Sequence, residues 1–523
     1  YQDMNYQDFR TILTRLSKGS KMIFCGSKQQ IDRQINEKSC IHKTMKLEEE
    51  LMQYILAKQR LMPKIISSKL SSNNKKLNHR TDYFRIKEYI DNFLNGNNQN
   101  RFIVMPGLRG VGKTTILLQL YEYLIKNDVP NSDILYFDVS ELKSFYDVNI
   151  LDVITNFIEN IHQTTMVELN KPIFLLIDEV HFDKNWTLTG KIVYDNNNNI
   201  FMIFTGSSAI ELQIHADAIR RMEKEPIFPC TFPEYLFLKQ NIHFPKEMSF
   251  ALQDLILNGN VDLAITNERK IQESMINLDN DPDIEFKKFL TQHSFPFSLK
   301  MQDFQIHEKT INNINRIIEK DISSLKTFNT STNDTISRIV TYIAMQKPGG
   351  TSNVKLAQML GVSPNTINNI LNVLEKTQLL FPITAYGTGS KIIKKPWEYF
   401  FLAPSIKASI NFEIGRYNLN SKKCLSTLAE TLVASSLYKL KLLRHNFIGL
   451  FYDPKKSGVD FLVRNIDKII PIEVGVGKKT KSQLTKAINN YNSDYGILIS
   501  NRTFSIKKEN NIIYIPLRTF SYI

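Results

Sequence analysis

The sequence predicts an α/β protein, with a parallel sheet carrying helices on both faces, followed by an all-α region and a small α/β domain. Three observations carry that expectation. Residues 107–115 read Gly-Leu-Arg-Gly-Val-Gly-Lys-Thr-Thr, between the apolar run Phe102 to Met105 and the helix-forming run Ile116 to Tyr123. The apolar runs Phe102–Met105, Ile134–Val139, Ile173–Asp178 and Phe201–Thr205 alternate with helical stretches such as Ile150–His162. Short buried strands joined by crossover helices make a parallel sheet covered on both sides. After a helix-rich stretch, short apolar runs return between Val459 and Pro516.

At 523 residues the chain exceeds one ordinary core, and three or four domains are expected. The shares of 42% hydrophobic and 23% charged residues exclude a disordered or fibrous chain. No apolar run of about 18 residues and no signal pattern is visible, so a membrane partner is not expected and the expected compartment is the cytoplasm. Cys25, Cys40, Cys230 and Cys424 lack the spacing of a zinc site and are expected to be free thiols. The formal charge of +14 suits a partner with phosphates. A Lys-, Asn- and Ile-rich composition gives the same charge without such a partner.

Residues 1–44 carry a helical pattern through Phe9, Ile12, Leu13 and Leu16, then a strand at Lys21 to Cys25, closed by Gly26-Ser27-Lys28-Gln29-Gln30-Ile31-Asp32. This resembles the portion of PhoH-like ATPases that follows the acidic Mg²⁺ motif and ends in a G-D-x-x-Q loop, with Ser27 where that family has Asp. The resemblance implies a fragment without catalysis of its own, and Met45 is a candidate native start. Residues 45–80 read as an amphipathic helix from Met45 and a Ser-, Asn- and Lys-rich linker over 67–81. Thr81-Asp82 is expected to cap a helix bearing Phe84, Ile86, Ile90, Phe93 and Leu94.

Residues 81–245 hold the candidate site. The string Gly107 to Thr115 is a phosphate-binding loop in the strand-to-helix context that its mechanism requires. Gly107, Gly110 and Gly112 let backbone N–H groups curl around anionic oxygens at a helix N-terminus, where the dipole favours negative charge. Lys113 is expected to reach the β and γ phosphates of ATP, Thr114 to hold Mg²⁺, and Thr115 to start the helix. The strand Ile173 to Ile177 ends in Asp178-Glu179, and a buried strand tolerates acids at its tip, where nucleotide lies in such sheets. Asp178 would bind Mg²⁺ through water and Glu179 would position the attacking water. Thr205-Gly206-Ser207-Ser208 closes the next strand, and Ser207 either senses the γ phosphate or belongs to a plain turn. Arg220-Arg221 follows, read either as an arginine finger or as two solvated charges.

Together with Trp186, Pro229 and Phe232-Pro233-Glu234-Tyr235, these motifs make residues from about 80 onward similar to archaeal and bacterial AAA-superfamily ATPases. Those proteins carry a winged helix and a C-terminal restriction-endonuclease-like domain of unknown function. The resemblance implies a P-loop NTPase fold and ATP hydrolysis.

A helical connection is expected over 246–330 and a winged helix-turn-helix over 331–420. Ser352 caps a helix whose inward set is Val354, Leu356, Ala357 and Leu360. Gly361-Val362-Ser363 turns, and Ser363-Pro364 opens a second helix, Asn365 to Lys376. Its outward residues Asn365, Thr366, Asn368, Asn369 and Asn372 can hydrogen-bond base edges and phosphates. The helix pair serves equally as a lid or packing module. Gly387 to Lys395, with Lys391, Lys394 and Lys395, would form a basic wing. In residues 421–523, Glu430, Asp460 and Glu473 match the acids that place metal in the PD-(D/E)xK nuclease fold. The lysine expected two residues after Glu473 is Gly475, with Lys478 and Lys479 nearest, which implies a binding-only domain.

The expected function is an ATPase with ATP and Mg²⁺ as cofactors and DNA as partner, with self-association left open. The alternatives are an ATP-gated Mg²⁺-dependent nuclease and a nucleotide-switched DNA-binding regulator with negligible turnover.

Overall fold

The computed structural model describes residues 37–523 apart from 73–74, 147, 209–215, 323–329, 347–351, 388–394, 419–420, 444–447 and 476–480. The expected PhoH-like segment therefore lies outside the described residues up to residue 36. Helix α1, Glu37–Lys69, crosses the boundary expected at residue 45 and buries Leu51, Ile55 and Met62. The stretch 67–81 departs from the linker its composition predicts. A small antiparallel hairpin pairs Ser71–Ser72 with Lys75–Lys76, and Asn78 Nδ2 donates to Phe237 O at 3.1 Å. Arg80 is buried at the N-terminus of α2, Thr81–Leu94. Thr81 and Asp82 do not cap that helix, because the Asp82 carboxylate pairs with Arg80 at 3.3 Å and Arg85 at 3.0 Å.

Strands β1 (Phe102–Pro106), β2 (Ile134–Asp138), β3 (Ile173–Asp178), β4 (Ile200–Gly206) and β5 (Glu223–Lys224) form a parallel sheet in the order β2-β3-β4-β1-β5. Alternate residues feed two cores, as the two-residue period of a strand requires. Ile103, Met105, Phe174 and Leu176 pack with Ile116, Leu117 and Leu120 of α3, Lys113–Lys126. Phe102, Val104, Leu175 and Phe204 pack with Leu51 and Ile55 of α1 and with Trp186. Register brings the chemistry to one edge. Asp138 stands opposite Asp178, and Met105 and Pro106 stand opposite Thr205 and Gly206.

Helices Glu247–Asn258, Asp262–Met275, Pro282–Thr291 and Asp303–Arg316 follow. Next come α4 (Asn353–Leu360) and α5 (Pro364–Lys376), with Ser352 and Ser363 at the N-caps and Gly361 left-handed between them at φ 67°. On α5, Asn365, Asn368, Asn369 and Asn372 are exposed, whereas Thr366 is half-buried with its hydroxyl against Ser363 Oγ at 2.9 Å. On α4, Val354 is exposed rather than inward. The expected wing lies outside the described residues except for its ends, so only Lys395 of its three lysines is placed, on the surface.

Strands β6 (Leu380–Ala385) and β7 (Glu398–Phe401) flank that wing and join β8 (Ile448–Tyr452), β9 (Phe461–Asn465), β10 (Lys468–Gly475), β11 (Gly496–Ser500), β12 (Lys507–Glu509) and β13 (Ile512–Pro516). They form one mixed eight-stranded sheet, ordered β12-β13-β11-β10-β9-β8-β6-β7. Helix α6, Lys422–Leu443, leads into it. The sheet thus crosses the boundary expected at residue 420. It is tied to the helical region by Glu268, which accepts from Ile506 N at 2.6 Å and from Thr519 Oγ1 at 2.7 Å.

Candidate nucleotide site

The loop after β1 is shaped by its glycines. Gly110 at φ 88° and Gly112 at φ 97° are left-handed, a conformation that costs other residues about 1–2 kcal/mol. Gly112 hands the chain directly to α3, so the helix starts at Lys113 rather than at Thr115. Buried Lys113 donates through Nζ to the carbonyls of Gly107 at 2.8 Å and Leu108 at 3.1 Å, which holds its ammonium over the loop. A Cβ on Gly110 would lie 2.8 Å from the Phe297 ring and 3.1 Å from Asn313 Nδ2. Gly110→Ala is therefore expected to weaken nucleotide binding about tenfold through the φ cost alone, measured by titrating a fluorescent ATP analogue.

Asp178 is the hub of the sheet edge. Thr114 Oγ1 donates to its Oδ2 at 2.6 Å, and Thr205 Oγ1 donates to its Oδ1. Burial first, and the neighbouring Glu179 carboxylate second, push the Asp178 carboxyl up to about 6, against the pull of both hydroxyls. A hydroxyl and a carboxylate that already touch are a hard-oxygen donor set, which fits Mg²⁺. Glu179 is left-handed at φ 55°, and its backbone N–H points at Thr205 Oγ1 (3.3 Å) and Asp178 Oδ1 (3.2 Å). Such strain in a non-glycine residue persists where surrounding bonds over-determine it. Buried Ser207 keeps its Oγ without a hydrogen-bond partner among the described residues, at the same edge.

Sequence reasoning missed three residues of this region. His181, fully buried, sets its Nδ1 3.3 Å from Glu179 Oε2 and 3.4 Å from Ser207 N. Arg80 grips the loop from outside, its Nη1 donating to Val111 O while Nε and Nη2 fork onto Glu234 at 2.9 and 2.8 Å. Burial alone would raise the Glu234 carboxyl, and the Arg80 charge and hydrogen bonds more than reverse it, leaving it lowered. Glu234 was visible in the motif Phe232 to Tyr235, but its partner was not. Gln378 is the third, reaching Ser208 at the edge from beyond α5.

Two expectations need correction. β5 runs parallel to β1 with Glu223 opposite Ile103, so Arg220 and Arg221 stand where β1 begins, at the end of the sheet away from the phosphate loop. Arg220 is exposed, and Arg221 donates to Asp195 Oδ1 at 2.5 Å and Asp217 O at 2.7 Å. Neither serves the nucleotide edge of its own chain. Asp460 stands beside Glu473 in the register of β9 against β10, but among the described residues no group of three or more His, Cys, Asp or Glu is placed to hold an ion, so Glu430, Asp460 and Glu473 do not form the expected metal set. Asp460 Oδ2 instead accepts from Val474 N at 2.7 Å, and Glu430 Oε1 from Ser426 Oγ at 3.2 Å within its own helix. Lys478 and Lys479 lie outside the described residues. Among the cysteines, Cys230 is free and buried and Cys424 free and half-buried.

A family described as an AAA domain matches residues 99–236. The uncharacterized protein MJ1637 of Methanocaldococcus jannaschii is 35% identical over 453 residues, covering 86% of this chain and 90% of that one. The chain belongs to the family of that archaeal protein. Beyond its AAA domain, residues 294–409 and 425–520 match two domains of unknown function (DUF8612 and DUF4143). An uncharacterized Haemophilus influenzae protein is 20% identical over 400 residues, covering 74% of this chain and 86% of its own. Among solved structures, the ORC1 protein of Aeropyrum pernix in complex with DNA covers 66% of this chain and 96% of its own at 9% identity, with a TM-score of 0.31. AMPPCP-bound DnaA from Aquifex aeolicus covers 59% and 93% at 16% identity, with a TM-score of 0.24. No helix among the described residues is long and apolar enough to cross a membrane.

Proposed function

We propose that the AAA domain hydrolyses ATP and that nucleotide state is passed to the helix-turn-helix and C-terminal sheet, which act on DNA. The observation that carries the hydrolytic part is Asp178, held by hydroxyls from both the phosphate loop and β4 beside a Glu179 fixed in a left-handed turn. Lys113 and the loop N–H groups would bind the phosphates, with Thr114 and Asp178 as the residues that would hold Mg²⁺. The ion would supply charge neutralisation for the developing phosphoryl oxygens. Glu179 would orient a water and accept its proton, and Ser207 Oγ would donate to the terminal phosphate. A carboxylate beside the ion site favours turnover over a passive switch. Mg²⁺-dependent phosphate release by the full-length protein tests this reading, and its absence with nucleotide still bound would leave only the switch.

The DNA part rests on α5, a capped helix with an exposed row of asparagines on a chain of net charge +14. Side-chain amides read adenine edges bidentately, and a base contact of this kind is worth about 1–3 kcal/mol. The triple change Asn365→Ala, Asn368→Ala, Asn369→Ala is expected to weaken duplex binding about tenfold or more on that scale, read by fluorescence anisotropy; unchanged affinity would remove α5 from the interface. Cutting is not part of this reading, given Gly475 and the absence, among the described residues, of an acidic group placed to hold an ion.

A further inference from the structure

The nucleotide edge is joined to the helix-turn-helix by a continuous set of polar contacts. It begins at Glu179 Oε2, 3.3 Å from His181 Nδ1, and the same nitrogen lies 3.4 Å from the backbone N of Ser207. One residue on, Ser208 Oγ donates to Gln378 Oε1 at 3.3 Å, with both residues buried. Gln378 follows the C-cap of α5, Thr377, and is held left-handed at φ 57°. Its neighbour Leu379 lines a small cavity with Leu108 and Arg109 of the phosphate loop.

The chemistry of Nδ1 makes the first contact a choice. An imidazole nitrogen either carries a proton and donates, or lacks one and accepts. With the proton on Nε2, Nδ1 accepts from Ser207 N–H and presents a lone pair to the Glu179 carboxylate. With the proton on Nδ1, it donates to Glu179 and gives up Ser207. Nδ1 accepts from Ser207 N–H as it stands, with Glu179 Oε2 3.3 Å away but outside hydrogen-bond geometry, so a small shift of the Ser207–Ser208 turn decides between them. That turn sits where a terminal phosphate would draw on Ser207, and its other side is fastened to Gln378.

We propose that His181 and Gln378 are positioning residues that link the Glu179 carboxylate to α5, so that the state of the helix-turn-helix selects the His181 tautomer and with it the set of the water-orienting glutamate. The inference rests on the ATPase reading and adds the direction of its regulation. Gln378 touches no substrate. It acts by fixing Ser208, while His181 acts by holding or releasing Glu179. A load on α5 moves Gln378 directly, with only Thr377 between them.

The test is single-turnover ATP hydrolysis by full-length protein carrying Ser208→Ala, Gln378→Ala, both together, and His181→Asn, with nucleotide affinity measured for each. Each single change is expected to alter the hydrolysis step about threefold or more while affinity stays within about twofold, the scale on which residues away from a ligand tune coupling. Because Ser208 and Gln378 share one bond, the double variant should match either single. Effects that multiply, or single variants at the wild-type rate, overturn the proposal. Ser208→Ala removes one oxygen and keeps the test open where Gln378→Ala does not fold. If the wild type binds ATP without hydrolysing it, the ATPase reading fails alone. The link is then read from nitrogen-15 histidine spectra with and without AMPPCP and Mg²⁺. A tautomer change at His181 in the wild type that is lost in Gln378→Ala supports it, and an unchanged tautomer overturns it.

Discussion

Arg80→Met is expected to destabilise the protein by about 3–5 kcal/mol, because it leaves the partners of a buried charge pair uncompensated. Glu234 would lose the two Arg80 hydrogen bonds that help lower its pKa and keep Thr81 N and the charge of Lys439, while Asp82 would lose one of its two salt bridges. Methionine fills most of the volume, so the loss reports charge and hydrogen bonding rather than a cavity. The same change frees Val111 O, and with it the outer side of the phosphate loop. Denaturant unfolding of the AAA transition should move to a lower midpoint with an unchanged slope. Arg80→Met with Glu234→Gln should recover part of the loss, since an amide needs no counter-charge. A wild-type midpoint for Arg80→Met would remove the pair from the account of the loop.

Lys113→Ala is expected to slow ATP hydrolysis by about 10²–10³-fold, the usual loss when one preorganised donor to developing charge is removed. The ammonium is already seated over the loop by the Gly107 and Leu108 carbonyls, so the wild type needs little reorganisation to meet a phosphate. In the variant those carbonyls turn to solvent and the fold is kept, because α3 still packs through Ile116, Leu117 and Leu120. Phosphate release with a thermal melt on the same sample separates the two effects.

The phosphate loop and the acids after β3 were legible because each is local: glycines at left-handed positions, a lysine at a helix start and carboxylates at the tip of an apolar run. The partners that complete the site come from far along the chain. Arg80 sits among Lys75, Lys76 and His79 and reads as one more solvated charge until Glu234 is brought beside it. His181 follows the acidic pair by two residues, and only the register of β3 against β4 shows that it meets Ser207. Gln378 is hidden by the strand it precedes. Arg220 and Arg221 misled for the converse reason, since their place depends on β5, a two-residue strand no pattern marks. Strand β8 escaped because Gly449 interrupts its short apolar run. The acids Asp460 and Glu473 do meet, since the register of β9 against β10 sets them side by side, yet no group of three or more such residues is placed to hold an ion among the described residues.

The central claim is that Glu179 orients water at the Asp178 edge. It is tested most directly by comparing single-turnover hydrolysis and ATP affinity in wild type and Glu179→Gln. The account predicts affinity within about twofold and hydrolysis slowed about 10²–10⁴-fold, as for loss of a general base. Hydrolysis by Glu179→Gln at the wild-type rate would contradict it.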